Sequence, residues 1–373
     1  MVYADNMATT RVRDEVLDVM SANAEYYGNP SSTHELGRKS KELLDTARAQ
    51  VADAIHASPN EIIFTAGGTD ANNLAIKGIA FDNENNGGHI ITTQIEHASM
   101  LAPCRYLKSL GYDVTYLPVD KTGTIDLYEL ERAIRADTVL VSIMFANNEI
   151  GTKQPISDIF HVCNEYGVYL HTDAVAAIGH CDINVNDLGI DMMSISGHKL
   201  HAPKGVGALY VRGGINLVPL QHGAGQEYNL RSGTENLNSI IGFGKAIELA
   251  RSDAIDYITL KSRLTDGVLS KIPNAVHNSG SRNNLDNIVS FSFENADADI
   301  ILSELDAHGI CASSGSAYFG PRSQCSHVLN AIGLPDNLIY GTVRFSFGIY
   351  NTLEDIDRIL EVLPNAVAQS RNL

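Results

Sequence analysis

Between about residue 60 and residue 212, short apolar runs alternate with stretches whose apolar positions recur at helical spacing. Glu61 to Thr65, His89 to Thr93, Val114 to Leu117, Thr138 to Phe145, Val168 to Thr172, Asp191 to Ser196 and Val206 to Val211 read as strands. Most lead into a turn and an amphipathic stretch, as at Asp126 to Arg135 and Pro155 to Tyr166. Such alternation predicts an α/β fold with a mainly parallel seven-stranded sheet covered on both faces. Ligands of these sheets gather at the carboxyl ends of the strands.

Beyond about residue 250 the pattern changes. It predicts a long helix from Ile240 to about Leu269, a strand at Ile288 to Glu294 and a helix near Ala298 to His308. Gly309 to Ala312, a Gly/Ser-rich loop, a helix near Ser326 to Ile332, the strand Thr342 to Phe347 and a last helix from Leu353 complete a smaller α+β unit.

Composition narrows the function classes. The 373 residues carry 27 basic and 44 acidic side chains, a net charge of −17, which argues against a nucleic-acid groove or binding to an anionic membrane. Met1 to Thr10 is polar, without a basic stretch followed by an apolar one, and no run approaches the ~18 apolar residues of a membrane span. A cytoplasmic protein is expected. The five cysteines, Cys104, Cys163, Cys181, Cys311 and Cys325, are odd in number and show no C-x-x-C spacing. Neither a disulfide framework nor a metal site is expected. Cys325 differs from the rest because Gly320 to Gln324 beside it read as an exposed loop.

Ser196-Gly197-His198-Lys199, followed by Pro203-Lys204-Gly205-Val206-Gly207, sets a lysine just past the apolar run Ile190 to Ile195. An amine there can form a Schiff base if burial keeps a fraction of it neutral. Asp173 stands at the end of the preceding apolar run, Val168 to His171. Together they make the pair a pyridoxal phosphate enzyme needs, a lysine for the aldehyde and a carboxylate for the pyridinium nitrogen.

Phe64 to Asp70 begins as a strand, turns through Gly67 and Gly68 and opens a helix over Ala71 to Ile79. Glycines let backbone amides approach an anion, the helix N-terminus favours negative charge, and Thr69 adds a hydroxyl. In isolation the same residues describe a capped helix after a tight turn. His97 follows the next strand and suits ring stacking, proton transfer or a purely structural role. The paired amides of Asn147 and Asn148 suit a phenolic oxygen or a substrate carboxylate, although Asn and Gly dominate turns in any case. Arg344, inside the apolar Val343 to Ser346, calls for a partner whose shape fits its fork, as a carboxylate does.

The ordered set of motifs resembles the cysteine desulfurases of the iron–sulfur assembly type, within the class V aminotransferase group. The likeness runs nearly end to end. It includes Ala8-Thr9-Thr10, Gly28 to Ser32 with His34, Gly67-Gly68-Thr69, Glu96-His97, Asn147 to Gly151 and Asp173. It continues through Ser196 to Lys199, Arg231-Ser232-Gly233-Thr234, Ser313 to Ala317 and Arg344. The resemblance implies a fold type I pyridoxal phosphate transferase, with a large unit at 12–250 and a small one built from 1–11 and 251–373. It implies that Lys199 carries the cofactor and moves the Cα proton, that Asp173 holds the ring nitrogen, and that His97 stacks on the ring. Gly68, Thr69, Ser196 and His198 would bind the phosphate, joined by Thr234 from the second subunit of a homodimer. Asn148 and Arg344 would hold the carboxylate of an amino acid, cysteine or a relative of it.

Two positions depart from the family pattern. Relatives end Ser-Ser-Gly-Ser-Ala with the cysteine that takes the substrate's sulfur, whereas this chain has Tyr318. A phenol, with a pKa of about 10, cannot accept sulfur as a thiol does. Relatives also read Asp-Ala-Thr-Gln where this chain reads Asp173-Ala174-Val175-Ala176, so the amide for the phenolic oxygen is missing. Three functions follow. One is a desulfurase that converts cysteine to alanine and passes sulfur to an acceptor or scaffold protein, with Cys325 as substitute nucleophile. The second is another reaction on an amino acid, namely C–S elimination, epimerisation or transamination. The third is a non-catalytic assembly partner, against which the intact Lys199, Asp173, His97 and Arg344 argue.

Overall fold

The structure, a computed structural model, describes residues 1–83, 88–280, 283–314 and 325–372. The chain opens with β1 (Val2–Tyr3), α1 (Asp14–Ala22) and α2 (Glu35–Ala54). It continues through β2 (Ile62–Thr65), α3 (Gly68–Asp82), β3 (His89–Thr93), α4 (Ala98–Ser109) and β4 (Asp113–Leu117). Next come α5 (Leu127–Ala133), β5 (Thr138–Ser142), α6 (Ile156–Tyr166), β6 (Tyr169–Asp173), β7 (Met192–Ser196) and β8 (Gly207–Val211).

Strands β2 to β8 form one seven-stranded sheet in the order β2-β8-β7-β6-β5-β3-β4. All pairings from β4 to β7 are parallel, and only β8 runs against both its neighbours, β2 and β7. The mainly parallel α/β sheet read from the sequence is therefore present. Its interior strand β7 is buried at every position, as a strand covered on both faces must be. Helix α3 packs on one face through Leu74, Ile76 and Ile79. Leu44 and Val51 of α2 and Ile156 and Ile159 of α6 cover the other face. Helix α6 stops where Gly167 takes a left-handed conformation, φ 67°, open to glycine without strain.

The remainder begins with α7 (Leu237–Ala250), α8 (Tyr257–Lys271), β9 (Ala275–His277), β10 (Ile288–Phe293) and α9 (Ala298–Ala307). It ends with β11 (Ile310–Cys311), α10 (His327–Ala331), α11 (Asp336–Ile339), β12 (Thr342–Ser346) and α12 (Leu353–Arg371). Strands β12-β10-β9 make an antiparallel sheet whose Phe291, Phe293 and Phe345, with Phe347 just beyond β12, join α8, α9 and α12 in a separate core.

Two sequence expectations need correction. The long helix from Ile240 to Leu269 is two helices, α7 and α8, separated at 251–256. Ile240, Phe243 and Ile247 bury in the core of the large sheet, whereas Leu260, Leu264 and Val268 bury in the second core. One straight helix cannot serve both. Asp256 caps α8 by accepting from the Thr259 N–H at 3.0 Å, and Asp253 is held off the helical path by a two-pronged ion pair with Arg13. Helices α1 and α2 fill a stretch to which the apolar pattern assigned no element.

Residues 5–10 join the two sheets. The Met7 N–H donates to Ser346 Oγ of β12 at 2.8 Å, and the Thr10 N–H donates to the His198 carbonyl just past β7 at 3.0 Å. Among the described residues no helix is long and apolar enough to cross a membrane.

Candidate active site

A cavity of about 310 Å³ opens where β5, β6 and β7 end and β12 approaches them. Gly68, Thr69, His97, Asn148, Asp173, Ser196, His198, Lys199 and Arg344 all line it, so the structure gathers nearly every residue singled out in the sequence. Met7, Ala8, Asn72, Ser99 and Met144 line it as well.

Lys199 lies in a single 3-10 turn, Gly197–Lys199, directly after β7. The half-buried ammonium donates to the Met7 carbonyl and, at 2.9 Å, to that of Ala8. Burial, reinforced by the nearby Arg344 charge and opposed by Asp5 and Asp173, pushes its pKa down to about 7. A substantial neutral fraction at physiological pH is what a nucleophilic lysine requires.

Asp173 ends β6 beside it. Its Oδ2 accepts from Asn72 Nδ2 at 2.7 Å and its Oδ1 from the Val175 N–H at 3.0 Å. Asn72 also donates to Ser99 Oγ at 2.8 Å, and Ser99 in turn meets His97 Nδ1 at 2.7 Å. His97 caps α4, accepting from the Ser99 N–H at 3.1 Å. Burial holds its pKa below the ordinary histidine range. The preceding residue, Glu96, is fully buried, and desolvation pushes its pKa up to about 8. It accepts from the Thr93 hydroxyl and the Met144 N–H, which ties the loop ahead of α4 to the chain beyond β5.

The end of the cavity at which the sequence suggests an anion is built from α3 and the turn after β7. Gly67 has φ 143°, and a Cβ on Gly68 would lie 2.7 Å from Val175. A Cβ on Gly207 of β8 would lie 2.8 Å from Gly67 Cα, so bare glycines let this turn sit against the sheet edge. Thr69, Ser196, His198 and Lys204 surround the mouth below the start of α3. The first N–H groups of a helix lack intrahelical partners and carry positive potential, which favours an anion there. Burial, with Lys199 and Lys204 adding to it, pushes the His198 pKa down to about 4, so its ring is neutral, and Nδ1 lies 3.2 Å from Thr9 Oγ1. Together with Asp173 for a cationic nitrogen and Lys199 for an aldehyde, this donor set fits pyridoxal phosphate.

At the opposite wall, Arg344 of β12 is 2% exposed and pairs with Asp5 Oδ1 at 2.9 Å. It also donates to the Asn148 carbonyl at 2.9 Å. The two amides read together in the sequence separate in role. Asn148 faces the cavity, whereas Asn147 staples its own turn, donating to the Ile95 carbonyl and accepting from the Glu149 and Ile150 N–H groups. An asparagine satisfying its own turn has no amide left for a ligand.

Two predicted residues are not brought to this cavity. Thr234 is exposed; its segment is tied to the start of α3 by Arg231, which meets Asp70 at 3.0 Å. Cys325 packs at the edge of a small cluster with Ile95, Ile150 and Val328, and its thiol is within hydrogen-bonding reach of the Tyr340 hydroxyl. Tyr318 lies outside the described residues. Asn72 and Ser99 escaped sequence reading, although a buried asparagine among Ala71, Leu74 and Ala75 was a usable signal.

Comparison with known proteins agrees with this geometry. The family described as aminotransferase class V matches residues 2–359. Cysteine desulfurase IscS of Methanosarcina thermophila is 49% identical over 377 aligned residues, covering all of this chain and 93% of that protein. The protein of the same name from Dictyoglomus turgidum is 46% identical, covering all of this chain and 96% of its own. A solved NifS-like protein superposes with a TM-score of 0.93 at 38% identity over 99% of both chains. A structure described as SspA in complex with cysteine gives 0.85 at 39% identity, covering 94% of this chain and 100% of that one. A family match over almost the whole length, on a cavity chemically suited to the same cofactor, makes this chain a class V aminotransferase family member and a pyridoxal phosphate-dependent enzyme.

Proposed function

We propose that the protein is a cysteine desulfurase, taking sulfur from L-cysteine, leaving L-alanine and passing the sulfur to an acceptor thiol. The observation that carries this reading is the convergence of Lys199, Asp173, His97 and Arg344 on one cavity, in a chain 49% identical along its whole length to a cysteine desulfurase. A non-catalytic scaffold has no physical need for a lysine depressed to about pH 7 beside a buried carboxylate.

When bound, pyridoxal phosphate supplies an electrophilic aldehyde and an electron-accepting ring. Gly68, Thr69, Ser196 and His198 would hold its phosphate, Asp173 its ring nitrogen and His97 its ring. Thr234 would reach the same phosphate in a second copy, making the enzyme a homodimer with shared sites. Arg344 and Asn148 hold the substrate carboxylate. Lys199 Nζ, uncharged in part at neutral pH, removes the proton from the substrate Cα and returns it. The division of labour follows 12–250 as the cofactor-holding unit and 1–11 with 251–373 as the smaller one.

The overall exchange is cysteine plus an acceptor thiol giving alanine plus a persulfide, with the Cβ–S bond broken, an S–S bond formed and a proton added at Cβ. Tyr318 favours one rival reading. Without a thiol to take the sulfur, elimination converts cysteine and water to pyruvate, ammonia and sulfide. Product analysis with cysteine decides between them for wild type, Cys325→Ser and Tyr318→Cys. Alanine with protein-bound persulfide supports the desulfurase, and its loss in Cys325→Ser assigns the acceptor to Cys325. Pyruvate with sulfide and no alanine overturns it in favour of the lyase.

A further inference from the structure

Asn72 joins two groups that no local motif connects. It sits in the second turn of α3, completely buried, and its amide nitrogen donates to Asp173 Oδ2 at 2.7 Å and to Ser99 Oγ at 2.8 Å. These partners are 101 and 27 residues away and belong to β6 and α4. An ionised carboxylate only accepts, so Asp173 dictates that the nitrogen and not the oxygen of the amide faces it. Both amide hydrogens are then in use.

The hydrogens can be followed one step further. Ser99 Oγ accepts from Asn72 and lies 2.7 Å from His97 Nδ1. Nδ1 also receives the Ser99 N–H. Receiving that N–H, Nδ1 presents its lone pair, so the imidazole proton belongs on Nε2 and the Ser99 hydroxyl is the donor to Nδ1. Protonating Nδ1 would set it against the Ser99 N–H and turn the Ser99 hydroxyl hydrogen away, and the Asn72 nitrogen, a donor, cannot accept that hydrogen.

Resting on the reading of Asp173 and His97 as groups that hold the cofactor, we propose that Asn72 is a positioning residue. It locks the Asp173 carboxylate in place and, through Ser99, keeps His97 neutral as the Nε2–H tautomer. The charged and titratable groups facing His97 are Asp173 of β6, Lys199 after β7 and His327 of α10. Asp173 favours the imidazolium and the other two oppose it, together with burial. The relay through Ser99 adds a directional constraint that charge alone does not supply. One network thereby sets the charge state on both sides of the ring site.

Histidine-selective ¹⁵N labelling of the cofactor-loaded enzyme reads the imidazole directly, with the His97 signals assigned by their loss in His97→Phe. Wild type should show the Nε2–H pattern unchanged from about pH 6 to about pH 8, the range in which an unperturbed imidazole loses its proton. In Asn72→Leu the Ser99 hydroxyl loses the amide that fixes its orientation and can turn to accept from Nδ1–H, with only the Ser99 N–H left to oppose that proton. His97 should then titrate within that range, its apparent pKa raised by about one unit or more. The cofactor should bind about tenfold more weakly, as expected for losing a hydrogen bond to a charged group. Asn72→Ala removes the same donor without leucine's bulk and decides the question if the leucine variant does not fold. Identical His97 titration in wild type and both variants overturns the proposal, even if cofactor affinity falls. An enzyme that made no alanine from cysteine would still give a readable titration, so failure of the desulfurase reading is distinguishable from failure of this one.

Discussion

The two sides of the cavity are built by opposite means. On one side, Asp173, Ser196 and Lys199 come from the ends of two adjacent parallel strands, with Asp173 in register with Ser194. The sheet ladder that holds β6 against β7 also sets the spacing of the three functional groups. On the other side, Arg344 is held by Asp5 and by the Asn148 carbonyl, 339 and 196 residues away in the chain. Three remote segments must meet before the arginine is in place. Under the proposed function, the difference separates a rigid support that would hold the cofactor from an assembled one that would hold the substrate carboxylate. Damage to the first should strike the chemistry, whereas damage to the second should strike substrate binding.

The sharpest break comes from Lys199→Ala, which removes the group proposed to move the Cα proton. Alanine formation from cysteine should fall by about 10⁴-fold, the upper range for losing a general base, while the fold persists. Retention of more than about 1% of the rate would show that the strand-end side does not perform the chemistry. Arg344→Gln tests the opposite side. Loss of a charge-assisted contact to the substrate carboxylate should raise KM about a hundredfold and lower kcat far less. If kcat collapses and KM holds, the two sides are not separable in this way.

A smaller effect follows from pH. The Lys199 pKa is pushed down to about 7, first by burial and then by Arg344. Only the neutral amine attacks the aldehyde, so cofactor capture by the cofactor-free protein should quicken about tenfold per pH unit below 7. It should level off above that, whereas an ordinary lysine would keep gaining towards pH 10 or so. Stability should move the same way. The folded chain gives up this proton near pH 7 and the unfolded chain only near ~10.4, so the unfolded state binds more protons between them and folding is favoured as pH rises. A thermal melt of the cofactor-free protein that shows no Lys199-dependent rise across this window would contradict the shift. The mildest change is Asp5→Asn. It keeps the shape while removing the carboxylate that competes with substrate for Arg344, so KM should fall a few-fold. A rise in KM instead would mean that Asp5 orients Arg344 more than it competes with substrate.

Legibility in the sequence divides along the same line. Lys199 and Asp173 could be read because each ends a recognisable apolar run, and strand ends are where parallel sheets present ligands. Gly67 and Gly68 could be read because a tight turn before a helix needs them. The roles of Asn147 and Asn148 could not be told apart, since turn chemistry and ligand chemistry use the same side chain. The continuous helix expected over Ile240 to Leu269 failed for a different reason. Its apolar positions keep helical spacing throughout, but the two halves face different cores. That Met7 and Ala8 meet Lys199 could not be read at all, because they do so through backbone carbonyls that every residue possesses.

By itself the sequence determined what local chemistry determines: the alternation of strands and helices, the turns that need glycine, and a lysine and an aspartate at strand ends suited to one cofactor. Tertiary structure decided which groups share hydrogens and charge. The path from Asp173 through Asn72 and Ser99 to His97 depends on three elements meeting at distances of 2.7 to 2.8 Å. Arg344 acquires Asp5 only when residues 5–10 cross between the sheets. Hydrogen bonds form or fail within a few tenths of an ångström, and side chains 100 to 340 residues apart reach that precision only when the packed cores beneath them fix their positions.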